Sequence, residues 1–169
     1  MMRVAVEESR TEGSRLEEVY RLHAPDGVRL AYLITGDRAL AEDIVQDAFV
    51  RLAGRLVHLR DPGGLAPYLR RIIVNLTNAH FRRRKVELRY LERQAALPEP
   101  THGPDVAERD AVWALLRALP TRQRTAIVLR FYEDLSVDQT AAVMRCRPGT
   151  VKSLVSRGMD KLRQVMAGE

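Results

Sequence analysis

The stretch RPGTVKSLVSR at residues 147–157 places several hydrogen-bonding side chains close together on a predicted helix. Helical spacing puts Val151 and Val155 on a side that can pack against other helices. It leaves Lys152, Ser153 and Arg157 on the other side. Lysine and arginine can donate to guanine edges and phosphates, and serine can bond to several base groups. The pattern suits a helix that lies in a DNA groove, although a packing helix of a small bundle can share it.

The residues before this stretch predict a short helix and a tight turn. SVDQ at 136–139 matches a capping box, in which the serine and glutamine side chains each satisfy a backbone N–H at the start of a helix. Pro148 suits the first turn of the next helix, where its missing N–H is no loss. Cys146 lies at the predicted turn, and we expect it to pack rather than to take part in redox chemistry. The segment 136–163 therefore predicts a helix-turn-helix.

Charge is distributed unevenly along the chain. Residues 37–47 contain four acids against one arginine, whereas residues 67–85 contain six basic residues and no acid. Residues 145–163 contain six basic residues against Asp160. Helix-dipole effects of about 0.3–1 kcal/mol each explain part of this pattern, but not an uncompensated run of six positive charges. The two basic segments indicate a protein that contacts one long polyanion at two places.

Composition sets the broad class of the protein. A chain of 169 residues with 46% hydrophobic and 30% charged residues can fold around one good core or two small ones. The pI of about 10.0 makes a polyanionic partner plausible, but it does not distinguish DNA, RNA and membrane. A single cysteine excludes an internal disulfide and fits a reducing compartment. Without a signal-peptide core or a run of about 18 apolar residues, we expect a cytoplasmic protein with no membrane insertion.

Helical periodicity predicts an all-α protein of two small domains. We expect helices over 15–35, with Pro25 and Gly27 breaking or bending the first, then over 38–59 and 67–84, with a loop over 60–67. The prolines of 96–105 indicate an extended linker, and a second helical block begins at Val106. One face of that block carries five apolar residues: Ala107, Ala111, Val112, Leu115 and Leu119.

The predicted domain boundaries follow from these elements. Residues 14–86 form a bundle of three or four helices, 87–105 the linker, and 106–166 a four-helix domain that carries the helix-turn-helix.

Catalytic and metal-binding patterns are missing from the sequence. The four histidines, at 23, 58, 80 and 102, have no partners at metal-ligand spacing. No nucleophile–base set or phosphate-binding glycine loop is visible. We expect no metal, no cofactor and no catalytic residue.

Three segments in a fixed order carry a family resemblance: AEDIVQDAFVRL at 41–52, YLRRIIVNLTNAHFRRR at 68–84, and the segment from Leu119 to Arg163. The chain resembles the extracytoplasmic-function sigma factors, the small two-domain initiation subunits of bacterial RNA polymerase. The resemblance covers about residues 15–165 and is strongest to a branch common in actinobacteria. It implies a non-enzymatic protein that binds core RNA polymerase, recognises the minus-35 and minus-10 promoter elements and promotes promoter opening.

The resemblance implies polymerase contacts for the acidic segment. Glu42, Asp43, Gln46 and Asp47 match the helix that docks on the coiled coil of the beta-prime clamp. Complementary charge would steer and orient that docking. The implied partners also include the beta flap of the polymerase, promoter DNA and an anti-sigma factor.

The first basic segment matches the family's reader of the minus-10 element. Family members hold a base flipped from the non-template strand in a pocket there, and Asn75 aligns with an asparagine that lines it. An amide can both donate to and accept from a base edge. The alternative is that Asn75 is a solvated polar residue on an amphipathic helix. Backbone and single-stranded base contacts are implied for the remaining polar positions: Arg70, Arg71, Asn78, Arg82, Arg83 and Arg84.

The helix from Pro148 matches the family's reader of the minus-35 element. The implied DNA-facing positions are Thr150, Lys152, Ser153, Leu154 and Arg157. Leu154 departs from the pattern, because many relatives have arginine after the Lys-Ser pair. Leucine cannot donate to phosphate or guanine, although it can touch a thymine methyl. Promoter preference therefore cannot be transferred from relatives.

Other classes of function explain less of the chain. An independent helix-turn-helix regulator accounts for residues 145–163 but leaves the acidic helix and the basic segment 67–85 unexplained. An RNA-binding or anti-termination module fits the charge but not the ordered segments, and an enzyme fits least. The predicted linker allows the pose of the two domains to differ between the free and bound states.

Overall fold

The computed structural model describes residues 2–55, 64–93 and 111–168, with side chains described over 15–55, 64–90 and 112–168. Its helices are α1 (Met2–Thr35), α2 (Arg38–Ala53), α3 (Leu65–Arg93), α4 (Ala111–Leu116), α5 (Thr121–Ile127), α6 (Val137–Met144) and α7 (Pro148–Ala167). A π-helical turn, Val128–Tyr132, continues α5. The described ranges contain no strand, and the predicted all-α fold is confirmed. No helix in these ranges is long and apolar enough to span a membrane.

The first helix is continuous through Pro25, so of the two predicted effects, a break or a bend, the break does not occur. Pro25 is exposed, whereas Gly27 is buried. A Cβ added at Gly27 would lie 2.9 Å from Cδ1 of Ile73 on α3 and 3.4 Å from Cγ2 of Val45 on α2. The glycine is therefore needed for close packing of three helices.

The second helix follows its predicted start but ends earlier than residue 59. Asp37 caps the N-terminus by accepting a hydrogen bond from the Leu40 N–H at 3.0 Å. The helix ends at Ala53, with Gly54 as its C-cap. The predicted apolar stripe is buried, together with Phe49: Ala41, Ile44, Val45, Ala48 and Leu52. Leu56, the last predicted member, lies outside the described residues.

The third helix is longer than the predicted span of 67–84. It begins at Leu65, inside the predicted loop, and runs to Arg93; residues 60–63 of that loop lie outside the described ranges. Its packing side contains Leu65, Leu69, Ile73, Val74, Leu76 and Thr77. Buried Thr77 donates its hydroxyl hydrogen to the Ile73 carbonyl at 2.9 Å, which satisfies the polar group within the helix. Helices α1, α2 and α3 pack on one another as a three-helix bundle.

The apolar face predicted for the second helical block is confirmed only in part: Leu119 is buried and Leu115 is half-buried, but Val112 is not buried. Val112 is 54% exposed, whereas Trp113, Leu116 and Leu119 are buried. Because Trp113 packs against the end of α1, the buried face of α4 is centred one position beyond the predicted one. Residues 87–93 of the predicted linker 87–105 continue α3, whereas residues 94–110 lie outside the described part of the chain.

The helix-turn-helix has the predicted local structure. Ser136 accepts from the Gln139 N–H at 3.1 Å, and the Ser136 N–H donates to the Gln139 side chain at 2.8 Å, which completes the capping box. Arg145 takes a left-handed conformation (φ 52°) in the turn, and Pro148 starts α7. Ala141, Val143 and Val151 are buried beneath the motif.

The two helical halves share a continuous apolar core. Buried residues of α1 to α3 and of α4 to α6 belong to the same packed cluster, and the Trp113 ring centroid lies 6.1 Å from that of Tyr32 on α1. The helix-turn-helix half therefore packs against the three-helix half.

Candidate nucleic-acid interface

The acidic positions of α2 form an exposed stripe. Glu42, Asp43, Gln46 and Asp47 are all exposed, on the side of the helix opposite its buried face. Arg38 pairs with Glu42 at 3.0 Å, but both side chains are well exposed, so water screens the pair strongly. Helical geometry places Val50, which is 74% exposed, on the same side as Asp43 and Gln46. Sequence reasoning missed this apolar member of an otherwise polar face.

Four of the predicted minus-10 residues lie on one side of α3. Arg71, Asn75, Asn78 and Arg82 recur at spacings of four, three and four residues, which aligns them along a single face of roughly 16 Å. The two arginines are exposed and the two asparagines are half-buried. Cationic groups therefore flank two amides that are partly shielded from water.

The other predicted minus-10 arginines lie elsewhere on α3. Arg83 and Arg84 are exposed but rotated away from the Asn75 face. Arg70 is half-buried, and its Nε donates to Oε2 of Glu133 at 2.5 Å. Glu133 follows the π-helical turn of the second half. Arg70 therefore differs from the other predicted minus-10 arginines in having an acidic partner.

His80 lies beside the basic end of α3 and is half-buried. Its ring meets the Phe81 ring edge-on, with centroids 5.8 Å apart. Burial lowers the pKa of His80 below its usual value of 6.5, and the nearby Arg84 and Arg83 lower it further, against an opposing effect of Asp37. The imidazole therefore favours its neutral form.

The predicted recognition helix presents a polar face to solvent. Lys152, Ser153 and Arg157 are exposed, whereas Thr150 and Leu154 are half-buried. The Ser153 hydroxyl donates to the Gly149 carbonyl at 3.0 Å, so its oxygen remains able to accept a hydrogen bond. Asp160, the single acid of this helix, pairs with Arg163 at 2.6 Å. The basic face of α7 is therefore formed by its N-terminal half.

Arg124 is a buried residue that the motif analysis did not single out. Its two terminal nitrogens donate to the Ile34 carbonyl at 2.8 Å and to the Leu119 carbonyl at 3.0 Å, and its guanidinium carbon lies 4.5 Å from the Trp113 ring centroid. Burial lowers the pKa of Arg124 to about 10. An arginine among apolar residues at 124–129 was the signal for such a buried contact.

The described side chains contain no group of three or more histidine, cysteine, aspartate or glutamate residues able to hold a metal ion. The described side chains form two exposed basic faces, on α3 and α7, and one exposed acidic face, on α2. That arrangement can bind a polyanion at two places and a basic surface at a third.

Comparison with known proteins identifies both halves. Residues 19–87 match Sigma-70 region 2, and residues 109–162 match Sigma-70, region 4. The RNA polymerase sigma-E factor of Streptomyces coelicolor is 32% identical over 148 residues, which cover 88% of this chain and 84% of that protein. The ECF RNA polymerase sigma factor SigE of Mycolicibacterium smegmatis is 34% identical over 158 residues, which cover 89% of this chain and 61% of that protein.

The fold agrees with a solved sigma factor. The sigma factor RpoE from Bartonella quintana, solved in complex with the anti-sigma factor NepR, superposes with a TM-score of 0.69 at 24% identity, covering 89% of this chain and 96% of that one. An all-helical protein with region 2 followed by region 4 is of the sigma-70 class. The chain belongs to the extracytoplasmic-function family of RNA polymerase sigma factors, and it resembles the SigE proteins of Streptomyces and Mycolicibacterium.

Membership of this family settles the class of function. The chain is a sigma factor that acts with RNA polymerase on promoter DNA to initiate transcription, and it is not itself an enzyme. The match to Sigma-70 region 2 covers both the acidic α2 and the basic part of α3, which lie outside the helix-turn-helix.

Proposed function

We propose that this sigma factor docks on core RNA polymerase through α2, contacts the minus-10 element through the Asn75 face of α3, and contacts the minus-35 element through α7. The observation that carries the proposal is the separation of charge: the acidic stripe and the two basic faces are exposed on three different helices. Each face has the charge sign that its partner requires.

Docking through α2 is supported by the exposure and chemistry of its stripe. Asp43, Gln46 and Asp47 offer carboxylate and amide acceptors to a basic protein surface, and the resemblance identifies that surface as the coiled coil of the beta-prime clamp. Glu42 contributes less net charge because Arg38 pairs with it. The beta flap is the polymerase surface expected to receive the second half of the chain.

Minus-10 recognition is supported by the alignment of amides and cations on α3. Asn75 and Asn78 are half-buried, so their amide groups are positioned by the surrounding packing while one side remains accessible. An amide in such a site can pair with the edge of an unstacked base. Arg71 and Arg82, one on each side, can neutralise phosphates of the single strand.

Minus-35 recognition is supported by the exposed N-terminal half of α7. Lys152 and Arg157 can donate to guanine edges or phosphates, and Ser153 can accept or donate beside them. The left-handed turn at Arg145 joins α6 to α7, and the two helices pack against each other. That arrangement is what a helix-turn-helix needs in order to insert its second helix into the major groove.

A cytoplasmic location follows from this proposal, because core polymerase and promoter DNA are there. Regulation by an anti-sigma factor stays an expectation of the family resemblance.

Core binding by a double variant tests the docking surface. Asp43→Ala with Gln46→Ala is expected to abolish co-purification with core polymerase, because it removes two acceptors from the middle of the stripe. Glu17→Ala with Glu18→Ala, on exposed positions of α1, is the control and is expected to bind as the wild type does. Circular dichroism verifies that both proteins are folded. Equal binding by the α2 variant and the control would contradict docking through α2.

A further inference from the structure

The C-terminal part of α3 continues beyond the residues that have been assigned to DNA. The match to Sigma-70 region 2 ends at residue 87, and the last predicted minus-10 contact is Arg84, whereas α3 runs to Arg93. Every residue from 82 to 90 except Leu88 is exposed, so these turns lie at the surface of the three-helix bundle. They are available to a partner of the sigma factor.

This part of α3 is strongly basic. Residues 82–90 contain one acid, Glu87, and five basic residues: Arg82, Arg83, Arg84, Lys85 and Arg89. The helix dipole favours basic residues only within about the last turn of a helix. Arg82 to Lys85 lie two or more turns before the end of α3, so the dipole does not explain them. Their charge favours a polyanionic partner.

Val86 and Tyr90 add apolar surface to the basic segment. They are 66% and 61% exposed, and they follow Arg82 at steps of four residues along one side of the helix. Together with Arg83 and Glu87, these three residues line a shallow hollow of about 580 Å³. Apolar groups beside arginines suit a DNA groove, where apolar side chains touch thymine methyls while arginine and tyrosine donate to phosphates.

The direction of the chain decides which DNA such a surface would meet. After α3 the chain leads into the half that carries α7. With α3 on the minus-10 element and α7 on the minus-35 element, the end of α3 faces the upstream side of the minus-10 element. From Arg82 to Tyr90 the helix rises about 12 Å, which is the length of about three or four base pairs at about 3.4 Å each.

We propose that the end of α3, from Arg82 to Tyr90, is an additional DNA-binding surface that contacts the duplex immediately upstream of the minus-10 element. Val86 and Tyr90 contact thymine methyls or sugars, and Arg83 neutralises a phosphate. Glu87 can accept from a cytosine amino group. The inference rests on the proposed function, because that function gives α3 its position on the promoter. It extends promoter recognition beyond the two elements.

Two forked DNA probes that share one minus-10 element test this surface. Both derive from a promoter selected by run-off transcription. One probe carries about six base pairs of duplex upstream of the element, roughly 20 Å at about 3.4 Å per base pair, and the other ends at the element. Fluorescence anisotropy with the complex of sigma factor and core polymerase measures how much affinity the upstream duplex adds. Val86→Ala with Tyr90→Ala is expected to reduce that gain about fivefold, as for the loss of a DNA contact.

Leu22→Ala with Met166→Ala is the matched control. It also removes two apolar side chains, which are 67% and 72% exposed, and it leaves the net charge unchanged, so it should keep the wild-type gain. The same gain in the α3 variant as in the wild type, or no gain in either, would overturn the proposal. An equal loss on both probes would overturn it too, because the contact would then lie in the minus-10 element itself. If the wild-type complex bound neither probe, the proposed function would fail as well.

Photo-crosslinking locates the contact without removing a side chain from the surface. With p-benzoylphenylalanine in place of Tyr90, the polymerase complex is expected to crosslink to base pairs on the upstream side of the minus-10 element. The same group in place of Leu22 should leave those base pairs unlabelled. Crosslinks from position 90 only within or downstream of the minus-10 element, or none to DNA, would contradict the proposal.

Discussion

Arg70 and Asn75 are five positions apart on α3 but have different surroundings. Asn75 lies between Arg71 and Asn78 on the open face, whereas Arg70 is held by Glu133. The family resemblance implied that both could contact DNA. The difference depends on a partner 63 positions away, which no local pattern indicates.

The shifted pKa of His80 makes stability depend on pH. Because burial lowers the pKa in the folded state, the unfolded chain binds more protons once the pH falls below about 6.5. Stability from this group is therefore present above pH 6.5 and decreases as the pH falls. Urea unfolding at pH 7 and pH 5.5 is expected to show a smaller loss of stability in His80→Gln than in the wild type. An equal or larger loss in the variant would contradict the assignment.

Leu154 is the residue at which the recognition helix departs from its relatives. Leu154→Arg is expected to strengthen binding to duplex promoter DNA by roughly 1 kcal/mol, or about fivefold, because arginine can donate to phosphate or guanine. Met166→Arg adds the same charge at an exposed position near the end of α7 and serves as the control. Filter binding or fluorescence anisotropy measures the affinity of both variants for the duplex DNA. If the two variants bind equally, residue 154 does not face DNA.

Helix starts were the most predictable features at the scale of elements. Asp37, Ser136 and Pro148 each start a helix as their residue types predict. Helix ends and faces were less predictable. The buried face of α4 is determined by Trp113, whose partner Gly36 lies in the other half, and Gly27 allows three helices to pack closely. These outcomes depend on tertiary contacts, which the spacing of apolar residues along one helix does not indicate.

The cap of α2 can be tested directly. Asp37→Ala removes the acceptor for the Leu40 N–H and is expected to lower the free energy of unfolding by about 1 kcal/mol. Glu18→Ala removes the same charge from the exposed surface of α1 and is expected to cost less than about 0.5 kcal/mol. Thermal or urea unfolding compares them. Similar losses in both variants would mean that the hydrogen bond to Leu40 contributes little.

At the scale of the whole molecule, the sequence predicted two helical halves and their charges but not how they pack. The charged faces follow from composition along single helices, so they could be located in advance. The contact between the two halves joins Gly36 to Trp113 and Arg70 to Glu133, and the members of each pair are far apart in the chain. Its residues are a glycine, a tryptophan and ordinary charges, none of which forms a motif by itself.

Run-off transcription with bacterial core RNA polymerase and a promoter library is the most direct test of the central claim. Adding the protein is expected to produce new start sites, each preceded by common minus-35 and minus-10 elements. The Asp43→Ala, Gln46→Ala double variant should produce none of them. If the wild-type protein produced no new start sites and did not co-purify with core polymerase, the account of this chain as a sigma factor would be contradicted.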